Sequence, residues 1–222
     1  MKAFVVGRYG SEAGAWMDDV PEPEVGDHDV LVAVRAASVN PLDAKIRDGE
    51  FKLILPYRVP FVLGHDMAGE VVRVGSAVRS FAPGDEVYAR PRKDRIGTLA
   101  ELIAVHEDDV ALKPSTLTMV EAAGLPLVAL TAWQALVERA NLQPGQKVLV
   151  HAGSGGVGTI AIQLAKHLGA HVATTAGAAN VAWVGDLGAD VVVDYRRDDF
   201  ETSLGDYDVV LDSLGEIGRA HV

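Results

Sequence analysis

Residues 151–170 read HAGSGGVGTIAIQLAKHLGA, and the fold turns on how the glycines at the start of this stretch are used. Gly153 to Gly158 spell G-S-G-G-V-G, one residue after the short apolar run KVLVH (147–151). Downstream, Ile160, Leu164 and Leu168 recur at i, i+4 and i+8, one face of a helix. Gly169 predicts its end, because glycine takes the left-handed C′ conformation without a Cβ penalty. In a strand–loop–helix setting, backbone N–H groups at the helix start face a pyrophosphate, and missing Cβ atoms let it approach. Ser154 invites a nucleophile reading, but G-x-S-x-G fails because Ala152 stands where its first glycine belongs. The stretch therefore reads as a dinucleotide cradle built from Gly153, Ser154, Gly155, Gly156 and Val157.

The end of the next strand decides which dinucleotide. A carboxylate there would hold a ribose 2′-OH and repel a 2′-phosphate. That strand runs HVATTAGAAN (171–180) and carries no Asp or Glu, which favours NADP over NAD. No Lys or Arg lies between His171 and Asp190 either. The extra phosphate would rely on Thr175, Gly177 and Asn180, or on Tyr195 and Arg196 at the end of the following strand. Arg196 and Arg197 read equally well as a solvated turn.

Bulk properties narrow the function classes. The chain has 222 residues, enough for two cores, and about half of them are hydrophobic. A net charge of −11 opposes a general nucleic-acid surface. No apolar run approaches the ~20 residues of a membrane span, and the N-terminus turns polar too early for a signal peptide. The absence of cysteine excludes disulfides, thiolate zinc sites and a cysteine nucleophile. A cytoplasmic enzyme fits these properties.

Two halves differ in period. Up to about residue 113, VLVAVRAASV (30–39), GEVVRVG (69–75), DEVYA (85–89) and ELIAVHEDDVAL (101–112) are β-branched runs between turn signals. Their spacing suggests a compact barrel-like domain. Thr118 and Glu121 form a T-x-x-E capping box that opens a helix, and LVALTAWQALVERA (127–140) reads as a second. From Lys147 strands and helices alternate as β-α-β-α-β-β, with Val181, Val184 and Leu187 on a short helix face. This is the opening of a doubly wound parallel sheet, so the fold class is α/β.

These residues resemble the medium-chain dehydrogenase/reductase superfamily, in its zinc-free quinone oxidoreductase and alkenal (enone) reductase branch. The resemblance rests on AASVNPLDAKIRDG (36–49), FVLGHDMAGEVVRVGSAVRSFAPGDEVYA (61–89), EAAGLPLVALTAWQAL (121–136) and VLVHAGSGGVGTIAIQLAKHLGA (148–170). It implies a GroES-like catalytic domain over 1–120, the first half of a Rossmann cofactor domain over 121–215, and a cleft between them. It further implies NADPH as cofactor, a small carbonyl or quinone substrate, and a homodimer for the full-length form.

The alcohol dehydrogenase branch of the superfamily places a cysteine and a G-H-E histidine on zinc. Here Asn40 precedes Pro41-Leu42-Asp43, the second motif is Gly64-His65-Asp66, and the distal ligand position near Leu127 is apolar. One imidazole and one carboxylate are too few for the three protein ligands of a catalytic zinc, so no metal is expected. His65 reads as a packed or hydrogen-bonded strand residue. ARPRKDRIG (89–97) replaces the structural zinc lobe, and its cations either form a solvated face or border the cofactor mouth.

Without zinc, hydrogen-bond donors must polarise the acceptor carbonyl. The resemblance points to Asn40 through its amide and Lys45 through its ammonium. Asp43 either orients Lys45 or stabilises the turn, and Tyr57 either donates a proton or plugs a gap. The branch often carries a tyrosine where this chain has Lys45 or Phe51. Thr131 matches a position that faces the nicotinamide. Two other classes remain open: a non-catalytic NADPH-binding protein with a structural or RNA-binding role, and an alcohol dehydrogenase.

The last seven residues, Glu216-Ile217-Gly218-Arg219-Ala220-His221-Val222, are what the sequencing adapter GAGATCGGAAGAGCACACGTC encodes in frame. The expectation is an artefact joined to a truncated gene, leaving a chain that is aggregation-prone and nearly inactive.

Overall fold

The computed structural model describes residues 1–10 and 14–214. The expectation for Glu216–Val222 lies outside the described residues. Two compact units divide the chain, Met1–Leu127 and Val128–Val222.

The first unit is β-rich. One antiparallel sheet has the order β7-β3-β5-β6-β8, formed by β3 (Asp29–Ser38), β5 (Asp66–Val74), β6 (Glu86–Ala89), β7 (Leu102–His106) and β8 (Val110–Leu112). A second has the order β2-β1-β4, from β1 (Lys2–Val6), β2 (Ala15–Asp19) and β4 (Phe61–Val62). β3 carries register shifts at Leu31/Val32 and Val34/Ala36, and such bulges bend a strand and curl its sheet. The curled sheet closes on Val30, Val32, Met67, Val71, Val87, Ile103 and Val105. Their side chains, β-branched apart from Met67, fill a pleated, half-buried face.

Three expectations for this half are corrected. The run 101–112 is not one strand: a 3₁₀ turn at Glu107–Asp109 separates β7 from β8, with the His106 side chain accepting the Asp108 N–H at 3.2 Å. The VNPLDAK segment is not a bare turn but opens α1 (Pro41–Asp48), with Asn40 as N-cap and proline in the first turn. β1, β2 and β4 have no counterpart in the sequence reading. The capping box is present as expected: Thr118 and Glu121 satisfy each other's N–H groups at the start of α2 (Met119–Ala123). Ala122 and Ala123 pack on Ala68 of β5, so α2 belongs to the first unit rather than lying beyond a boundary at residue 120.

In the second unit, the helix expected over 127–140 is α3 (Pro126–Trp133) followed by a π-helical stretch, Gln134–Arg139. Four parallel strands follow, β9 (Lys147–Val150), β10 (His171–Ala176), β11 (Val191–Asp194) and β12 (Val209–Leu211), in the order β11-β10-β9-β12. Between them run α4 (Gly156–His167), α5 (Val181–Asp186) and α6 (Phe200–Ser203). The expected β-β ending is therefore β-α-β, as parallel pairing requires a crossover. Both sheet faces are covered. Val148, Val150, Val172, Ile162 and Val184 fill one side, and Leu149, Ala173, Val193 and Leu204 the other. Continuous apolar strands such as VLV and VVV reflect that double burial. The strand order reverses between β9 and β12, and such a reversal opens a crevice at the carboxyl ends of the strands. The α/β class read from the sequence, a GroES-like β-rich domain before a Rossmann-type parallel sheet, is the observed one. Among the described residues no helix is long and apolar enough to cross a membrane.

Candidate functional site

The glycine loop is pinned to β10 by two threonines. Gly153 N–H donates to the Thr175 carbonyl at 2.9 Å, Ala152 N–H to Thr175 Oγ1 at 3.2 Å, and Thr174 Oγ1 to the Val150 carbonyl at 2.6 Å. This tight join explains two glycines. A Cβ on Gly153 would collide with the Thr174 hydroxyl, and one on Gly158 with the Ala152 carbonyl and Gly153 Cα. At Gly155, the N-cap of α4, a Cβ would meet only the Ala152 carbonyl, at 3.2 Å. The loop is thus most tightly packed where it meets sheet and helix, and less severely where α4 begins, where a Cβ on Gly156 would meet Val128 at 3.1 Å. The first amides of α4 have no intrahelical acceptors, which makes its N-terminus an anion site.

Beside the loop lies a cavity of about 720 Å³ whose wall includes Ser154, Thr175, Gly177, Asn180, Tyr195 and Arg196. The structure thus brings together six of the residues singled out for cofactor binding. Gly153, Gly155, Gly156 and Val157 shape the loop without lining this cavity, and Thr131, exposed on α3, does not line it. Thr175 is buried with its hydroxyl engaged by the loop, so it acts on a ligand through loop geometry. The Arg196 guanidinium lies over the Tyr195 ring at 5.6 Å and lines the cavity, whereas Arg197 approaches Asp194 at 3.8 Å. Of the two arginines, Arg196 is the one available to a ligand.

Besides four alanines, the wall residues that escaped sequence reasoning are His151, Phe200, Asp212 and Leu214. His151 follows β9 and Asp212 follows β12, the two strands that flank the reversal. The switch-point rule would have found them had the strand order been known. Burial pushes the His151 imidazole down from its usual range, and the Asp212 carboxylate pulls the other way.

The first unit holds a buried polar cluster around the start of α1. Asp43 accepts the Asn40 N–H at 2.7 Å and lies 2.7 Å from His65 Nδ1. Asp66 accepts Leu127 N–H at 2.9 Å on one oxygen, and Asn40 Nδ2 at 2.9 Å and Ser38 Oγ at 3.0 Å on the other. Burial raises the Asp66 pKa against the pull of those donors. Several role assignments change accordingly. Asp43 does not orient Lys45: its carboxylate is fully buried and engaged by Asn40 and His65, while Lys45 is exposed near Glu50 at 3.9 Å. Asn40 Nδ2 donates to Asp66 at 2.9 Å and makes a longer contact to Ser38 Oγ at 3.4 Å. Tyr57 donates its phenolic proton to the Lys93 carbonyl at 2.6 Å and packs on Phe61 at 5.2 Å. Asn40 and Asp43 are brought together; Lys45 and Tyr57 do not join them. In the basic loop, Arg92 pairs with Asp109 at 2.7 Å and Arg95 grips Asp29 at 2.7 and 2.8 Å.

The zinc-type donors of this cluster are already engaged by one another and by their neighbours. His65 Nδ1 contacts Asp43, and both Asp66 oxygens accept from donors, which leaves fewer open ligands than the three a catalytic zinc takes. Among the described residues no group of three or more His, Asp or Glu side chains could hold a metal ion. A dinucleotide does fit the second unit, because the glycine cradle, the helix start and the cavity adjoin one another.

Known proteins carry the same two-part pattern. The alcohol dehydrogenase GroES-like domain family matches residues 26–115, and the zinc-binding dehydrogenase family matches residues 156–219. The NADPH-dependent alkenal/one oxidoreductase of Arabidopsis thaliana chloroplasts is 42% identical over 99% of this chain and 59% of its own length. The 2-methylene-furan-3-one reductase of Solanum lycopersicum is 41% identical over 99% of this chain and 58% of its own. The chain thus spans less than two thirds of these curated relatives. The solved quinone oxidoreductase of Coxiella burnetii superposes with a TM-score of 0.89 at 37% identity, over 97% of this chain and 69% of that one. On these matches the chain belongs to the medium-chain dehydrogenase/reductase superfamily, in the branch of the quinone oxidoreductases and alkenal/one oxidoreductases.

Proposed function

We propose that this chain is the greater part of an NADPH-dependent, metal-independent reductase of quinones or α,β-unsaturated carbonyls. One observation carries the reading. The cavity beside the glycine loop presents Asn180, after β10, and Arg196, after β11, and β10 with the turn that follows it carries no carboxylate of its own to reject a 2′-phosphate. The name of the Arabidopsis thaliana relative agrees with this preference.

The amides at the start of α4 and Ser154 would hold the diphosphate, and Arg196, backed by Tyr195, the 2′-phosphate. When bound, the nicotinamide supplies a hydride, two electrons delivered to an enone β-carbon or a quinone; a proton from a side chain or water completes the reduction. The chain's contribution on the acceptor side is hydrogen bonding. Asp66 fixes the Asn40 amide through one N–H, and the second N–H of Nδ2 would be the donor to a developing oxyanion. Asp43 and His65 hold the start of α1, and thereby Asn40, in place.

Fluorescence titration with NADPH and NADH tests the cofactor reading. Tighter binding of NADPH is expected, and Arg196→Ala should lower NADPH affinity about tenfold while leaving NADH affinity unchanged, the loss of one charge-assisted hydrogen bond. Equal or tighter binding of NADH overturns the preference. Oxidation of NADPH in the presence of a panel of enones and quinones tests the reaction; intact binding with no acceptor turned over would reduce the protein to a dinucleotide binder.

A further inference from the structure

Resting on the dinucleotide reading, we propose that His151 is a further cofactor-contacting residue, whose ring Nε2 donates a hydrogen bond to a phosphate oxygen of the bound dinucleotide at the crevice between β9 and β12. Its side chain is buried, 7% exposed, yet lines the cavity two residues before the glycine loop begins. Thr175 Oγ1 already accepts the Ala152 N–H at 3.2 Å, and it lies 3.3 Å from His151 Nδ1. The hydroxyl can give its proton to Nδ1, which places the imidazole proton on Nε2, and its second lone pair can accept from Nδ1 when the ring is protonated; Nε2 carries a hydrogen in both of these states. The ring is also locked edge-on against Phe200, with centroids 5.0 Å apart at 73°.

Nε2 has no partner among the described residues, although Nδ1 on the same ring does. Nor is it sealed off, since among those residues Thr98 Oγ1 is the one buried side-chain atom that lacks a partner. A rigid ring that turns an unpartnered donor toward a cavity, beside a helix start suited to anions, is a preformed contact for a ligand oxygen. Asp212, beside His151 across the reversal, makes no ion pair with it; its carboxylate accepts the Leu214 N–H at 2.8 Å. The remaining charged or titratable groups on the wall are Tyr195 and Arg196, at the end of β11.

An anionic oxygen at Nε2 favours the protonated ring, while burial in the free protein favours the neutral one. Binding then takes up a proton, and affinity should rise as pH falls from about 8 to about 6. The experiment titrates the 222-residue chain with NADPH across that range, for wild type, His151→Phe and His151→Gln, with thermal melting of each. Phenylalanine keeps the ring and its contact with Phe200 but removes the donor; glutamine keeps a donor that cannot take up a proton. His151→Phe should bind about tenfold more weakly at the acid end, where its pH dependence should be flatter than that of wild type. His151→Gln should retain affinity within about threefold at the alkaline end and show the same flattening. Titration of the ligand's own 2′-phosphate is common to all three proteins and cancels in the comparison. Unchanged affinity in His151→Phe, or a wild-type pH slope surviving in either variant, overturns the proposal. If His151→Phe does not fold, the slope in His151→Gln decides alone. Failure of wild type to bind NADPH at any pH sinks the dinucleotide reading itself, a result distinct from a silent His151.

Discussion

Asp29 and Arg95 lie 66 residues apart, and each supplies what the other lacks. The Asp29 carboxylate, 4% exposed at the start of β3, accepts both terminal Arg95 nitrogens and the Gly26 N–H at 2.9 Å. The Arg95 guanidinium holds its pKa below the usual carboxylate range, against the opposing effect of burial. The sign follows: a depressed carboxylate adds stability above its unfolded pKa, and that stability is lost as pH falls through the folded pKa. Arg95→Ala should cost about 2 kcal/mol in urea unfolding at neutral pH, because a buried carboxylate loses its bidentate partner. Circular dichroism during acidification should place the onset of unfolding at a higher pH in the variant; coincident acid limbs would show the pair to be indifferent. Nothing in the run ARPRKDRIG singles out Arg95 for Asp29, since composition reports charge and not partners. For the same reason the sequence points Asp43 toward Lys45, two residues away, whereas its partner His65 lies 22 residues on. Local sequence exposes caps and turns, whereas contacts across folded strands stay hidden until the register is known.

At the scale of elements, what repeats is legible in the sequence and what interrupts is not. α4 declares itself by Ile160, Leu164 and Leu168, and α2 by its capping box, because both signals are confined to a few turns. The turn at Glu107–Asp109 and the π-helical stretch at Gln134–Arg139 sit inside runs whose apolar pattern continues across the break. α1 does carry a helix-start signal, Asn40 before Pro41, which also reads as a turn. β2, with four of its five residues exposed, carries too little alternation to be seen. The close approach of α4 to the glycine loop makes a firm prediction. Gly158→Ala drives a methyl into the Ala152 carbonyl, which is backbone and cannot swing aside. A loss of about 3 kcal/mol is expected from overpacking. NADPH affinity should fall with it, because the displaced loop carries the anion site; an unperturbed melting temperature would contradict the packing seen here.

Over the whole molecule, charge and cofactor oppose each other. A net charge of −11 repels a polyanionic dinucleotide at long range, while the start of α4 and Arg196 attract it only at short range. Raising ionic strength from about 10 mM to about 150 mM shortens the Debye length to about 8 Å and should therefore speed NADPH association in stopped-flow fluorescence. Dissociation should quicken too, as local contacts weaken; an association rate that falls with salt would mean the local cations dominate the approach. The charge and the two-part architecture are both legible in the sequence, but the strand order is not, and the order has a consequence in time. β9, β10 and β11 follow one another along the chain and pair in that sequence, so each closes a short loop. β12 must instead come back across the sheet to β9, where Asp208 at its threshold accepts the Lys147 N–H from 61 residues away. Loop closure over that length is entropically costly and rewarded late. The reversal that opens the crevice thus also makes β12 the last strand to dock: the second unit acquires its core before it acquires the wall that bears Asp212, and a ligand that bridges β9 and β12 acts as a clasp on the slowest seam of the fold.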